Sequence, residues 1–238
     1  MQKIKLENIN ELLQSMAQIG KVYAPIEKAG QVNYYEWNKD AKLRLDVLNT
    51  VKSAKDVFFP QTEDLASFKT EGKEISIQAE KPLDEDFAVF GVRACDVKSF
   101  DILDKVFIEE NTDEFYKARR EHGVVISHAC NEPEETCFCT TFGIDASAPK
   151  GDIETYTVGD TLYWLPVTDK GKEYSAKLGN ILEEADESQV NKQKETIKAI
   201  MDKLPLKDVT TQAFGAGKTM EYFDRPEWKE LSEADART

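Results

Sequence analysis

The chain has 238 residues, 40% of them hydrophobic and 32% charged, with a formal net charge of −14 and a pI near 4.7. That length and apolar fraction suffice for a real core, in one large domain or two small ones. The excess of carboxylates excludes a nucleic-acid surface and adhesion to anionic membranes, both of which demand a basic face, and it asks a neutral or basic patch of any protein partner.

The opening stretch, MQKIKLENINELLQSMAQIG, carries charges throughout. It has neither the apolar centre of a secretion signal nor the length of a membrane span, so a cytoplasmic protein without a span is expected. Residues 4–19 predict a helix with Ile4, Leu6, Ile9, Leu12, Leu13 and Met16 on one side and Gly20 at its end. KVYAPIEKAGQVNYYEWN alternates about Ala29-Gly30 and predicts a hairpin, with Pro25 pointing to an edge strand and Tyr34, Tyr35 and Trp37 read as core or cover. The next apolar run stops at Pro60, and a short helix is expected from Thr62, with Glu63 and Asp64 in its first turn. KTEGKEISIQAEKPL predicts one or two strands around Gly72.

The segment from Phe87 to Gly143 holds all four cysteines. FAVFGVRACD and HGVVISHAC are short apolar runs rich in Val, Ile and Phe, bounded by turn residues, and read as buried strands. Between them DVKSFDILDKVF places Val97, Phe100, Ile102, Leu103 and Phe107 at helical spacing, and DEFYKARREHG predicts a second helix running into a glycine stop. The unit is β-helix-β, which favours parallel strands whose carboxyl ends share one edge. Cys95 and Cys130 then stand at the edge where α/β sheets hold ligands, and a turn about Pro133 returns Cys137 and Cys139 to it.

Downstream, DIETYTVGDTLYWLPVT predicts a hairpin about Gly159-Asp160, KGKEYSAKLGN a short helix ended by Gly179, and residues 187–204 a longer helix, with one more around Trp228. The fold class is α/β: a mixed sheet with a parallel β-helix-β core, plus hairpins and peripheral helices. FGAGKTM contains GKT but has Gln212 where a phosphate-binding loop requires glycine, so nucleotide binding is not expected. With two histidines and no GxSxG, HExxH or GxGxxG, an independent hydrolase or transferase is not expected.

The cysteine spacing C-x34-C-x6-C-x-C is neither a ferredoxin run nor a paired zinc-ribbon pattern. Four thiolates from strand ends and a loop suit the corners of a [4Fe-4S] cube, and equally a tetrahedral zinc, where His128 could replace one of them. A thiol-disulfide relay through Cys137 and Cys139 fits less well, because a CxC disulfide is strained. Strand alternation puts Arg93 with Cys95 and His128 with Cys130; these bases, with Thr140, Thr141 and Gly143 as donors, would raise a cluster's potential. Equally, Arg93 could pair with a carboxylate and His128 simply pack.

FAVFGVRACDVKSFDILDKVF, DEFYKARRE and VVISHACNEPEETCFCTTFG together resemble the amino-terminal region of the iron-sulfur electron-transfer subunits typified by the sulfhydrogenase beta subunit and the anaerobic sulfite reductase A subunit. SAKDVFFPQTEDL and WKEL fit the same family. The resemblance implies an α/β module over residues 1–204, and a linker with a short helix over 205–238 leading to a ferredoxin-like part with two further clusters, absent here. It implies a non-catalytic subunit of an anaerobic oxidoreductase, of hydrogenase or sulfite reductase type, between a flavin-containing, nicotinamide-oxidising subunit and a catalytic one. The alternative is a structural zinc-binding docking module without redox activity.

Overall fold

The computed structural model describes residues 1–209, 218–223 and 225–235. Ten strands and eight α-helices are resolved among them: β1 Gln2–Lys5, α1 Ile9–Ile19, β2 Lys21–Lys28, β3 Gln31–Glu36, α2 Lys55–Phe58, β4 Ala66–Glu71, β5 Glu74–Ala79, β6 Phe87–Val92, α3 Ala94–Asp104, α4 Glu114–His122, β7 Gly123–His128, β8 Ile153–Val158, β9 Thr161–Pro166, α5 Asp169–Lys177, β10 Glu183–Glu184, α6 Ser188–Met201, α7 Lys218–Phe223 and α8 Glu227–Asp235. Eight strands form one sheet in the order β10-β1-β9-β8-β7-β6-β2-β3, and β4 and β5 form a separate hairpin. It is a mixed α/β fold.

Four neighbouring strands, β2, β6, β7 and β8, are parallel. Between β6 and β7 the chain runs through α3, a π-helical turn at Lys105–Glu110, and α4. Asp113 starts α4 by accepting from the backbone N–H groups of Phe115 and Tyr116. On one face of the sheet, α1 and α5 cover Phe90, Val124, Ile126, Ile153 and Trp164. The opposite face is split: α2, α3 and α4 pack on Phe87, Val89 and Val125, and α6 packs on Tyr156 and Tyr163. A sheet covered on both faces explains why all residues of β6 and β7 are buried.

Several local expectations are corrected. Residues 2–5 pair with β9 as a strand, so the first helix begins at Ile9; Lys5 and the Leu6 N–H are both fixed on Asp160 in the β8–β9 turn. Pro25 lies on an inner strand, and β3 is the edge. The ring is tolerated because the register of β2 with β6 ends at Tyr23↔Val89, and beyond it residues 42–44 bond to the Pro25 carbonyl and the Glu27 N–H and need no N–H from Pro25. No helix starts at Thr62; the helical turn is α2, ahead of Pro60. Ile102 faces solvent at 62% exposure, while Phe100 takes the core position. The second helix of the unit does end at Gly123, which is extended and begins β7, and a Cβ there would meet the Phe58 ring at 2.4 Å. The GKT stretch lies largely outside the described residues.

Candidate functional site

The carboxyl ends of β6 and β7 are shaped by a bulge. Register shifts between Phe90 and Val92, leaving Gly91 unpaired at φ +85°. Its carbonyl accepts from Tyr34 Oη at 2.9 Å, and a Cβ there would sit 3.0 Å from Leu45 Cδ2 and 3.2 Å from the Pro25 ring. A bulge bends a strand and re-aims the chain beyond it. Here the chain continues into Arg93, which caps α3, and then into Cys95 in the first turn of that helix. Asp96, beside it, is held by Ser53 Oγ at 2.6 Å and Lys55 Nζ at 2.8 Å, which ties the helix start to the segment before α2.

The second cysteine, Cys130, lies two residues beyond β7 and donates its backbone N–H to the Ala146 carbonyl. From there the chain loops through Cys137, whose sulfur accepts from the Glu134 N–H at 3.3 Å. It reaches Cys139 at the start of a 3-10 turn, Cys139–Phe142, closed by Gly143 in the left-handed conformation. Leu48, from the strap between β3 and α2, packs in the same cluster as Cys130, Cys137 and Cys139.

All four are free thiols; Cys130 is buried, Cys137 and Cys139 are half-buried and Cys95 is exposed. Burial pushes the Cys139 thiol up to about 12, and Cys95, Cys137 and Cys130 each push it further in the same direction. Cys130 is raised to about 11 by burial, with Cys95 and Cys137 adding to the shift and Arg93 opposing it. Cys95 is raised by burial of its sulfur and by Asp96, against the backbone N–H groups at the start of α3. Cys130 and Cys139 thus sense the neighbouring thiols, yet among the described residues no group of three or more His, Cys, Asp or Glu side chains is placed to hold a metal ion.

Arg93 is brought to this region, but its hydrogen bonds go to backbone. Nη1 donates to the Ala129 carbonyl at 3.0 Å, and Nη2 to those of Leu45 and Val47, both at 2.8 Å. One guanidinium therefore joins the strap to the chain between β7 and Cys130 and sets a positive charge beside Cys130. Among the described residues no carboxylate forms an ion pair with it.

His128 is separated from Cys130. It lies on the α1 side of the sheet, in the wall of a cavity of about 410 Å³ that Leu6, Ile9, Leu45 and Arg93 also line, whereas Cys130 packs with Tyr156 and Val190 on the other side. Alternation fails because β7 ends at His128. Thr155 Oγ1 gives its one proton to the Ser127 carbonyl at 2.8 Å, so it accepts from His128 Nδ1 at 2.9 Å. The imidazole is neutral, with Nε2 facing Thr157 Oγ1 at 3.4 Å. Burial and the Arg93 charge hold its pKa down at about 3.

Thr140 and Thr141 spend their hydroxyl protons on the carbonyls of Lys207 and Val209, at 3.1 and 2.7 Å, and the Gly143 N–H closes the turn on Thr140. Sequence reasoning missed the strap at residues 45–51, Tyr34 and Ser53. The readable clue was Arg93 itself, since a cation at the end of a buried strand must find acceptors, and loop carbonyls are the nearest supply.

Fold and site together define a mixed α/β protein with four free thiols, of which Cys130, Cys137 and Cys139 pack in one cluster beyond the carboxyl end of β7. The chain is similar to Sulfhydrogenase 2 subunit beta of Pyrococcus furiosus, 27% identical over 230 residues, which are 94% of this chain and 67% of that protein. No protein-family model matches the chain, and no solved structure matches it. Among the described residues no helix is long and apolar enough to cross a membrane.

Proposed function

We propose that this chain is an iron-sulfur electron-transfer subunit of an oxidoreductase complex, of hydrogenase or sulfite reductase type. Its partners would be a flavin-bearing, nicotinamide-oxidising subunit and a catalytic one, and it would work anaerobically in the cytoplasm. The observation that supports the reading is the packing of Cys130, Cys137 and Cys139 in one cluster beyond the carboxyl end of β7, near enough to Cys95 for its charge to act on Cys130 and Cys139.

The donor set fits a [4Fe-4S] cluster. Neutral thiols at about 11 and 12 are poor ligands on their own; a cationic iron-sulfur core compensates the charge that burial penalises and takes them as thiolates. Bonds of about 2.3 Å to a tetrahedral zinc would draw the sulfurs to about 3.8 Å of one another. A cube of four irons and four sulfides is larger and would take the same four thiolates at its corners. When bound, such a cluster accepts and releases one electron at a time. The chain's own residues supply position: the Gly91 bulge aims Cys95, the Arg93 fork fixes the strap and Cys130, and the Glu134 N–H steadies Cys137. The Arg93 charge beside Cys130 would favour the reduced state of a cluster held there.

Anaerobic purification with iron and sulfide analysis, and EPR after dithionite, tests this. The expected result is about four irons and four sulfides per chain with a reduced-cluster signal. Single Cys→Ser variants at 95, 130, 137 and 139 are each expected to lose most of the iron. Zinc without sulfide would replace the proposal with the structural zinc module, and full iron in all four variants would overturn the ligand set.

A further inference from the structure

The β4–β5 hairpin stands apart from the eight-stranded sheet, and all twelve of its strand residues are exposed. Its register pairs Ala66 with Ala79, Phe68 with Ile77 and Thr70 with Ile75 on one face. Ser67, Lys69 and Glu71 face Gln78, Ser76 and Glu74 on the other. A strict two-residue alternation of this kind is the pattern of a ribbon with one face buried. Here the apolar face is bare: Phe68 is 76% exposed, Ile75 67% and Ile77 75%. A lone two-stranded hairpin is marginal in water, and its cross-strand apolar pairs contribute little until something covers them.

The uncovered strip is on the order of 500 Å², at the upper end of what monomers leave bare. Two copies joined through this strip alone would bury about 1,000 Å² in all, short of the roughly 1,200–2,000 Å² of a stable interface. They would also bring together two chains each carrying −14. At the base of the hairpin lies an open cleft of about 480 Å³, whose charged lining is Glu63, Asp64 and Glu80 against Lys81 and Arg119, a small acidic excess. Arg119 is bound to Glu63, whereas Asp64 and Glu80 have no ion pair among the described residues.

We propose that the apolar face of β4–β5, with the acidic cleft at its base, is the docking face for a partner protein subunit that presents an apolar strip flanked by lysine or arginine. The proposal rests on the reading of this chain as a subunit of a complex. The strip anchors and the carboxylates orient. The remaining contact area comes from other parts of the partner, because the strip is smaller than the roughly 800 Å² per side of a standard interface.

The test uses the full chain, tagged and purified anaerobically from its own cells as the native complex and as the isolated chain. Amide exchange across residues 66–79 is expected to slow at least about tenfold in the complex. Phe68→Lys/Ile77→Lys alters exposed positions only, so the variant is expected to keep the melting temperature, iron and sulfide of the parent while losing the co-purifying subunit. Asp64→Lys/Glu80→Lys is expected to weaken co-purification most at low salt. Equal exchange in complex and isolated chain, or a stoichiometric complex with the Phe68→Lys/Ile77→Lys variant, would overturn the proposal. So would a concentration-dependent dimer of the isolated chain that this variant abolishes, since the occupant would then be a second copy. Iron and sulfide in the same samples keep the two readings separate: a metal-free parent that still docks through the hairpin would overturn electron transfer and leave the docking face standing.

Discussion

Arg93 shows how one side chain can organise a site without touching a substrate. Its guanidinium spans three carbonyls from two parts of the chain, Leu45 and Val47 in the strap and Ala129 after β7. These positions are 36 to 48 residues away in sequence. A lysine keeps the charge but offers a compact ammonium in place of a planar fork, and it cannot reach all three acceptors. Arg93→Lys is expected to cost about 2–4 kcal/mol, since buried carbonyls lose charge-assisted hydrogen bonds and are left unpaired. Urea unfolding of the apo chain at neutral pH measures this directly. A cost under about 0.5 kcal/mol, within the range of an ordinary surface substitution, would show that the strap is held by Leu45 and Leu48 packing instead.

At the scale of elements, the parts legible in the sequence are those specified locally. The hairpins at Ala29-Gly30 and Gly159-Asp160 announce themselves because each turn carries a residue at positive φ beside alternating strands: Ala29 and Gly30 at 51° and 78°, Gly159 at 59°. The two buried strands of the central unit were equally plain, being unbroken apolar runs. Less legible were features set by distant partners. β1 is a strand because β9 lies beside it, against the amphipathic helical pattern of its own residues. The separation of His128 from Cys130 depends on where the β7 ladder stops, which alternation alone does not say. The join of α3 to α4 is similar. Asp104, at the end of α3, accepts from Arg120 Nε at 2.9 Å and Tyr116 Oη at 2.6 Å, both on α4, and Arg120 also lies 4.7 Å over the Phe100 ring. Burial alone would raise the Asp104 pKa, but the Arg120 and Tyr116 hydrogen bonds outweigh it and hold the carboxyl below its ordinary value of 3.8. A carboxyl depressed in the folded state contributes stability above its unfolded pKa and loses it as pH falls through the folded one. Asp104→Asn is therefore expected to cost about 1–3 kcal/mol at pH 7 and to show a shallower loss of stability below about pH 4 than the parent. Thermal melts from pH 7 to pH 2 compare the two slopes, and parallel curves would remove Asp104 from the acid response.

Across the whole molecule, the cysteine loop is the joint between the sheet and the carboxyl-terminal segment. Cys130 is tied to Ala146 and Cys139 to Ile144 through backbone, while the hydroxyls between them, on Thr140 and Thr141, hold Lys207 and Val209. A cluster bound by Cys137 and Cys139 would order the very turn that carries these hydroxyls, and ligands that bind only the folded state stabilise whatever is coupled to their site. Loss of the cluster should then loosen residues 205–209 before it disturbs β6 or β7, which are buried on both faces. Lys207 is a trypsin site within that segment, so the coupling has a direct readout. The chain freed of iron by chelator is expected to be cut after Lys207 at least about fivefold faster than the loaded chain, with both losing the sheet region at similar rates. Thr141→Val, which cannot donate to Val209, is expected to show the fast cut even when loaded. Equal cleavage in all three preparations would mean that the carboxyl-terminal segment is held by Leu204 and Met201 in the α6 core, and that the thiol centre and the segment beyond it are mechanically independent.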